Sequence, residues 1–188
     1  MKTLFRRLSN KFLIAFYPSC PYCPSCGRVL LDDKHVICDS CAKIIFARQK
    51  CTCKICGRAI KGGDVCNICY ENKYTYDKGV SLFVYDRHTA PIIYSIKYGN
   101  NIELAQRLGS LLYYDICRKS DILSETDIIL PVPLHKDRLK IRGYNQAEII
   151  AAALSEESGI RINSSVLIKT KATADQIGLK KTQREQKL

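Results

Sequence analysis

Ten of the chain's 11 cysteines lie between Cys20 and Cys69, and eight of them form four pairs in which two residues separate the partners. This spacing lets a tight turn point both sulfurs at one ion, and two such turns complete the tetrahedral set of thiolates that zinc accepts. Spacers of 11 and 9 residues join the pairs into two sets. The spacing therefore predicts two zinc ions with these ligands: Cys23, Cys26, Cys38 and Cys41 for the first, and Cys53, Cys56, Cys66 and Cys69 for the second.

The first and third pairs belong to an internal repeat, because CPSCGR at residues 23–28 returns as CKICGR at residues 53–58. Gly27 and Gly57 follow these turns, where we expect the backbone to take a positive φ angle that glycine tolerates. The match leaves Cys20 and Cys51 outside the sets. Free or disulfide-bonded thiols are the alternative, but clustered cysteines in a reducing compartment favour metal binding.

Composition divides the chain into three segments. Residues 1–19 form an amphipathic segment whose apolar stretch, residues 12–17, is too short for the core of a signal peptide. Residues 20–73 hold the paired cysteines, and residues 77–188 have the mixed pattern of an α/β domain. No stretch approaches the roughly 20 apolar residues that cross a bilayer, so the sequence predicts a cytoplasmic protein without a transmembrane segment.

The formal net charge of +12 suits an anionic partner such as nucleic acid or phosphate. Eight thiolates and two zinc ions would lower this charge to about +8, so part of the basic excess near the cysteines offsets the metal sites. A basic surface that only keeps the protein soluble explains the total equally well, because a charge total does not locate a patch.

The pattern after the cysteines predicts a doubly wound parallel sheet with ligand groups at the carboxyl ends of its strands. Cys117, in an amphipathic helix, is expected to be a buried small apolar residue. The predicted strands are residues 78–86, 126–133 and 164–170, and the wholly apolar second strand is expected to be buried in the middle of the sheet. The predicted helices are residues 89–99, 101–119 and 146–159.

One basic stretch, residues 135–142, follows the predicted strand that Pro131 and Pro133 end. We expect a loop in the crevice of the sheet that leads into a helix N-terminus, where free N–H groups favour an anion. Arginine grips phosphate with two parallel hydrogen bonds, so a phosphate group is the predicted ligand. On spacing alone, a solvated basic loop is an equal alternative. The cationic and imidazole side chains are His135, Lys136, Arg138, Lys140 and Arg142.

Several longer motifs resemble the ComF family, bacterial proteins of competence and DNA uptake that join a cysteine-rich zinc module to a phosphoribosyltransferase-like domain. The motifs are YPSCPYCPSCGR, CKICGR, IKYGNN at residues 96–101, DIILPVPLHKDRLKIRGYNQAE at residues 127–148 and ATADQIGLKKTQRE at residues 172–185. The resemblance implies a double zinc ribbon followed by a type I phosphoribosyltransferase-like doubly wound sheet.

The resemblance also implies roles for individual residues. Lys97 and Tyr98 would lie near the entrance of the site, and Arg138 and Arg142 would contact a diphosphate or its metal. Asn145 and Gln146 would orient the basic loop. A helix cap is an equal alternative for Asn145. Two further residues would belong to a mobile hood over the ligand, although the first could be an ordinary polar loop residue: Gln176 and Arg184.

One expected element is missing from the printed sequence. Proteins of this kind hold the ribose 5-phosphate of phosphoribosyl pyrophosphate (PRPP) with a hydrophobic strand, two acidic residues and a Thr/Gly-rich loop, which in this family would follow the position of Arg184. The printed sequence ends at Leu188. We therefore expect an incomplete phosphoribosyltransferase-like domain in these 188 residues, without phosphoribosyl transfer.

Three functions are consistent with these features. The first is a ComF-like factor of natural transformation, at the inner face of the membrane beside the DNA-uptake machinery, with a competence helicase, single-stranded DNA, and PRPP or a nucleotide as partners. The second is a phosphoribosyltransferase of nucleotide salvage that uses Mg²⁺ with PRPP. The third is a zinc-ribbon adaptor for nucleic acid or protein that performs no chemistry.

Overall fold

The computed structural model describes residues 22–30, 37–47 and 51–172. These residues form two compact units that divide between Ile93 and Tyr94. The amphipathic segment of residues 1–19, Cys20 and the two predicted hood residues, Gln176 and Arg184, lie outside the described residues. Within the described part of the chain, no helix has the length and apolar character needed to span a bilayer.

The first unit repeats one small motif. In each copy a turn is closed by an antiparallel bridge, Tyr22 to Val29 in the first and Thr52 to Ala59 in the second. Gly27 has a φ angle of 74° and Gly57 one of 68°, which confirms the predicted positive φ at both positions. Each turn is followed by a helix that contains the last cysteine of its cluster: Cys41 in α1, Asp39–Ala47, and Cys69 in α2, Asn67–Glu71.

Residues 78–86 contain no strand, so that prediction was wrong. The segment instead bonds to the backbone of the second turn. The amide of Gly79 donates to the Ile55 carbonyl at 2.6 Å, and the hydroxyl of Ser81 donates to the Gly57 carbonyl at 2.6 Å. The division between the two compact units falls after Ile93, and the domain start at residue 77 stays a prediction.

Helix α3, Ala90–Tyr98, begins after a compact turn and confirms the helix predicted for residues 89–99. Thr89 is almost fully buried. Its hydroxyl is satisfied there, because it donates to the Val84 carbonyl at 2.7 Å and accepts from the Asp86 amide at 2.9 Å. Pro91 lies in the first turn of the helix, where a missing N–H costs no intrahelical bond.

Two packed helices form the core of the second unit: α4, Ile102–Lys119, and α6, Gln146–Ser158. Both were predicted. Asn101 caps α4 by accepting from the Leu104 amide at 3.0 Å, and Leu104 and Leu108 are buried. The two helices meet at Gly109, where an added Cβ atom would lie 2.6 Å from the Cβ of Ala153. Glycine therefore sets how closely the helices approach.

The sheet is smaller than predicted. Strand β1, Ile128–Ile129, follows a 3₁₀ turn, Ile122–Glu125, and pairs in parallel with β2, Arg161–Ile162. Helix α5, Lys136–Arg142, and α6 lie between the strands in sequence, the crossover that a parallel pair needs. These are the only two strands of that sheet within the described residues, so the doubly wound sheet stays a prediction.

Three expectations about this unit were wrong. Residues 164–170 form no strand, because the parallel pairing occurs earlier, at Arg161–Ile162. Ile128 in β1 is 41% exposed, whereas the apolar run predicted a buried strand. Most of the basic stretch is α5 and not a loop: His135 caps this helix through its contact with the Asp137 amide at 3.3 Å, and Gly143 ends it with a φ angle of 81°.

Candidate zinc centres and a cationic pocket

The eight predicted zinc ligands form two four-sulfur clusters, and within each cluster all Sγ atoms lie within 4.8 Å of one another. The Sγ atoms of Cys26 and Cys38 are 3.7 Å apart, and those of Cys56 and Cys66 are 3.8 Å apart. A tetrahedron with Zn–S distances of about 2.3 Å has edges of about 3.8 Å, whereas a disulfide requires about 2.05 Å. The clusters therefore fit zinc and are consistent with a double zinc ribbon.

Backbone amides stabilise one sulfur in each cluster. The amide of Cys38 donates to Cys23 Sγ at 3.5 Å, and the amide of Cys66 donates to Cys53 Sγ at 3.4 Å. Burial opposes ionisation of Cys53, but hydrogen bonds from the amides of Cys56, Cys66 and Ile55 outweigh it and lower the pKa of its thiol to about 6. In each turn, backbone amides thus favour the thiolate form of one cysteine, the form that binds a metal cation.

In the metal-free cluster the pKa of the Cys69 thiol is raised and not lowered. Burial, followed by hydrogen bonds with Cys56, Cys66 and Cys53, raises the pKa of its thiol to about 12. A bound Zn²⁺ would supply the positive charge that lets all four sulfurs ligate as thiolates, and the cross-link would replace a hydrophobic core in this small module. The chain's own contribution is the preformed arrangement of the four sulfurs.

The second pair of each cluster lies at a helix start, which the sequence reasoning missed. Cys66 precedes the first residue of α2, and its carbonyl accepts from the Tyr70 amide at 3.0 Å. Cys38 precedes α1 and accepts from Ala42 in the same way at 2.9 Å. Helix N-termini favour thiolates. The signal was present in the first helix as buried residues four apart, Cys41 and Ile45.

Among the described residues, two other cysteines lie outside the clusters. Cys51 is exposed, in agreement with its exclusion from the predicted ligand sets. Cys117 is also exposed, so the expectation that it is a buried apolar residue was wrong. It lies on the side of α4 opposite the buried stripe of Leu104 and Leu108, as the 3.6-residue period of the helix already indicates.

A pocket of about 520 Å³ lies in the second unit, where α3 and α5 end. It brings together Lys97, Arg138 and Arg142, three of the residues to which the resemblance gave a phosphate-binding role, and it adds Lys140. None of the described residues that line it is acidic. The described residues that line it are Lys97, Tyr98, Asn100, Arg138, Lys140, Ile141, Arg142, Gly143 and Tyr144.

Two contacts join the walls of this pocket. The hydroxyl of Tyr144 donates to the Ile96 carbonyl in α3, and burial raises the pKa of that phenol, which keeps it a donor. The guanidinium of Arg142 lies over the ring of Tyr98, 5.3 Å from its centroid, in a cation–π arrangement. Tyr144 was not among the residues predicted for the site.

The pocket's positive charge comes from side chains and not from helix dipoles. Both α3 and α5 have their C-terminal turns at the pocket, and each turn contributes about half a negative charge. Lys97, Lys140 and Arg142 lie in these last turns and compensate for the dipoles. With Arg138, four cationic side chains line the pocket, which favours an anionic ligand.

Asn145 and Gln146 do not line the pocket. Asn145 is buried and caps α6: its Oδ1 accepts from the Ala147 amide at 3.1 Å, and its Nδ2 donates to the Val132 carbonyl at 3.1 Å. These contacts favour the helix-cap alternative. The Nε2 atom of Gln146 is buried without a hydrogen-bond partner among the described residues.

Known proteins similar to this chain are bacterial. Competence protein F of Haemophilus influenzae is 30% identical over 125 residues, which are 65% of this chain and 55% of that protein. DNA utilization protein YhgH of Escherichia coli O6:H1 is 29% identical over 113 residues, 59% of this chain and 50% of that protein. This chain is homologous to ComF-family proteins.

The chain spans about half the length of the ComF relatives it matches. DNA utilization protein YhgH of Salmonella typhimurium is 28% identical over 113 residues, which again are 59% of this chain and 50% of that protein. No protein-family model matches the chain, and no solved structure matches it significantly.

Proposed function

We propose that this chain is a zinc-binding, ComF-like factor of DNA uptake whose second unit binds the phosphates of PRPP or a nucleotide in the cationic pocket. The names of its relatives, Competence protein F and DNA utilization protein, support the DNA-related role. The two cysteine clusters support a zinc-stabilised first unit. Single-stranded DNA and a competence helicase are the proposed macromolecular partners, and Mg²⁺ would accompany a bound PRPP.

One observation carries the phosphate-binding part of this proposal. Lys97 is about 40 residues from Arg138 and Arg142 along the chain, yet all three line one pocket. Cations brought together from separate elements repel one another, and a bound anion would lower that repulsion. A diphosphate would compensate for it and accept paired hydrogen bonds from the two guanidinium groups.

Binding of pyrophosphate tests this site. Calorimetry on the zinc-loaded protein with Mg²⁺ should show binding that is at least about tenfold weaker in the double variant Arg138→Gln/Arg142→Gln, because each charged hydrogen bond contributes on the order of 1.5–3 kcal/mol. Lys136→Gln is the matched control, since Lys136 lies in the same helix but does not line the pocket. Equal pyrophosphate affinity in the double variant and the control would refute the proposed site.

The two other functions make different predictions in the same experiment. A salvage phosphoribosyltransferase would release pyrophosphate from PRPP in the presence of Mg²⁺ and an acceptor base. A zinc-ribbon adaptor without chemistry would bind two zinc ions but no pyrophosphate. Pyrophosphate binding without turnover supports the ComF-like assignment over both.

The proposed contact with single-stranded DNA has its own signature. Each phosphate contact on a single strand contributes about 0.7 to the slope of log affinity against log salt concentration. If Arg138 and Arg142 contact DNA, the double variant should therefore lower this slope by about 1.4 for an oligothymidylate between roughly 0.05 and 0.3 M salt. An unchanged slope would exclude DNA from this pocket.

A further inference from the structure

Two exposed tyrosines extend from the cationic pocket along α3. Tyr94 and Tyr98 occupy successive turns of the helix, and their ring centroids are 4.5 Å apart with an interplanar angle of 44°. Tyr98 lines the pocket and is 45% exposed, while Tyr94 is the next ring outward and is 63% exposed. The aromatic surface is therefore continuous with the group of cations.

A guanidinium and two aromatic rings lie side by side in this surface, in the order Arg142, Tyr98, Tyr94. The Arg142 guanidinium covers Tyr98, and the Tyr94 ring lies against Tyr98. A tyrosine pair four residues apart also supports an isolated helix, so the pair alone would indicate little. Here it continues a cation–π contact into a pocket whose described lining residues include no acidic side chain. Aromatic rings beside cations are the combination that binds a base together with its phosphate.

We propose that the Tyr94–Tyr98 pair is a stacking surface for the base of a nucleotide whose phosphates lie in the cationic pocket. This inference rests on the proposed phosphate site, and it selects a nucleotide over a base-free sugar phosphate such as PRPP. Asn100, also in the pocket lining, has a φ angle of 51°, uncommon for a residue other than glycine. Asn100 adds an uncharged polar residue to the lining of the same pocket.

ADP and pyrophosphate separate base recognition from phosphate recognition, because both carry a diphosphate and only ADP carries a base. Stacking on one aromatic ring should strengthen ADP binding about fivefold or more. Tyr94→Ala should therefore weaken ADP binding by about this factor and leave pyrophosphate affinity within about twofold of the parent. Tyr94→Phe keeps the ring and should retain ADP affinity.

Tyr114→Ala is the control, since Tyr114 is 60% exposed on α4 and does not line the pocket. We expect it to leave ADP affinity unchanged in calorimetry on the zinc-loaded protein. If pyrophosphate binds but Tyr94→Ala and Tyr114→Ala have equal ADP affinities, the stacking surface is refuted and the phosphate site survives. If pyrophosphate does not bind the parent protein, the phosphate site is refuted, and the inference with it.

Discussion

Gly57 lies so close to Gly79 that a Cβ atom on Gly57 would come within 2.6 Å of the Gly79 carbonyl oxygen. Its repeat partner Gly27 has nothing within 4 Å of the same position, although both residues have positive φ angles. The two turns of the repeat are therefore alike in backbone but not in surroundings. The second is covered by the segment that leads towards α3, and the first has no such cover among the described residues.

Alanine at the two glycines should separate backbone strain from steric overlap. Gly27→Ala should cost about 1–2 kcal/mol for the left-handed conformation alone, and Gly57→Ala about 1–3 kcal/mol more because the Gly79 backbone must move. The measurement is the chelator concentration that removes half of the zinc from each variant. Equal zinc retention in the two variants would show that residues 79–81 do not hold the second turn.

Metal analysis tests the cysteine sets. The purified protein should contain two zinc ions, one for each cluster. Cys53→Ser should lose one of them, because serine replaces the sulfur whose thiolate the backbone amides favour. Cys51→Ser should lose none, since Cys51 is exposed and outside both clusters. Loss of zinc from Cys51→Ser alone would mean that the ligand set is wrong.

Replacement of Asn145 distinguishes a structural role from a ligand contact. Asn145→Ala should lower the free energy of unfolding by about 1–3 kcal/mol, because it removes the cap of α6 and the donor to the Val132 carbonyl. Asn145→Asp keeps the cap and should lose less. Denaturant titration measures both. Weaker pyrophosphate binding by Asn145→Ala at unchanged stability would assign this residue to the ligand instead.

Local patterns were sufficient for the cysteine clusters and for helices α3, α4 and α6. Cysteine spacing, the repeated glycine and cap residues such as Asn101 act within a few residues, so the sequence carries them directly. The signals that end α5 were local too: His135 and Gly143 flank it. The prediction gave more weight to the many cationic side chains of residues 135–142, which indicated a loop.

Long-range pairing was the part that the sequence could not supply. Residues 78–86 have β-forming side chains, but Gly79 and Ser81 bond to the second cysteine turn, a contact that alternation along one segment does not encode. The candidate site shows the same limit. The resemblance named Lys97, Arg138 and Arg142, whereas their convergence, with Lys140 and Tyr144 beside them, depends on contacts that Arg142 and Tyr144 make with the end of α3.

The central claim is that the ends of α3 and α5 bind a diphosphate. The most direct measurement is a pyrophosphate titration of the ¹⁵N-labelled, zinc-loaded protein with Mg²⁺, followed by the chemical shifts of the backbone amides. The account predicts that the largest changes occur at residues 97–100 and 138–144, with the amides of the cysteine clusters unaffected. Changes confined to the first unit, or no saturable change at the ends of α3 and α5, would contradict it.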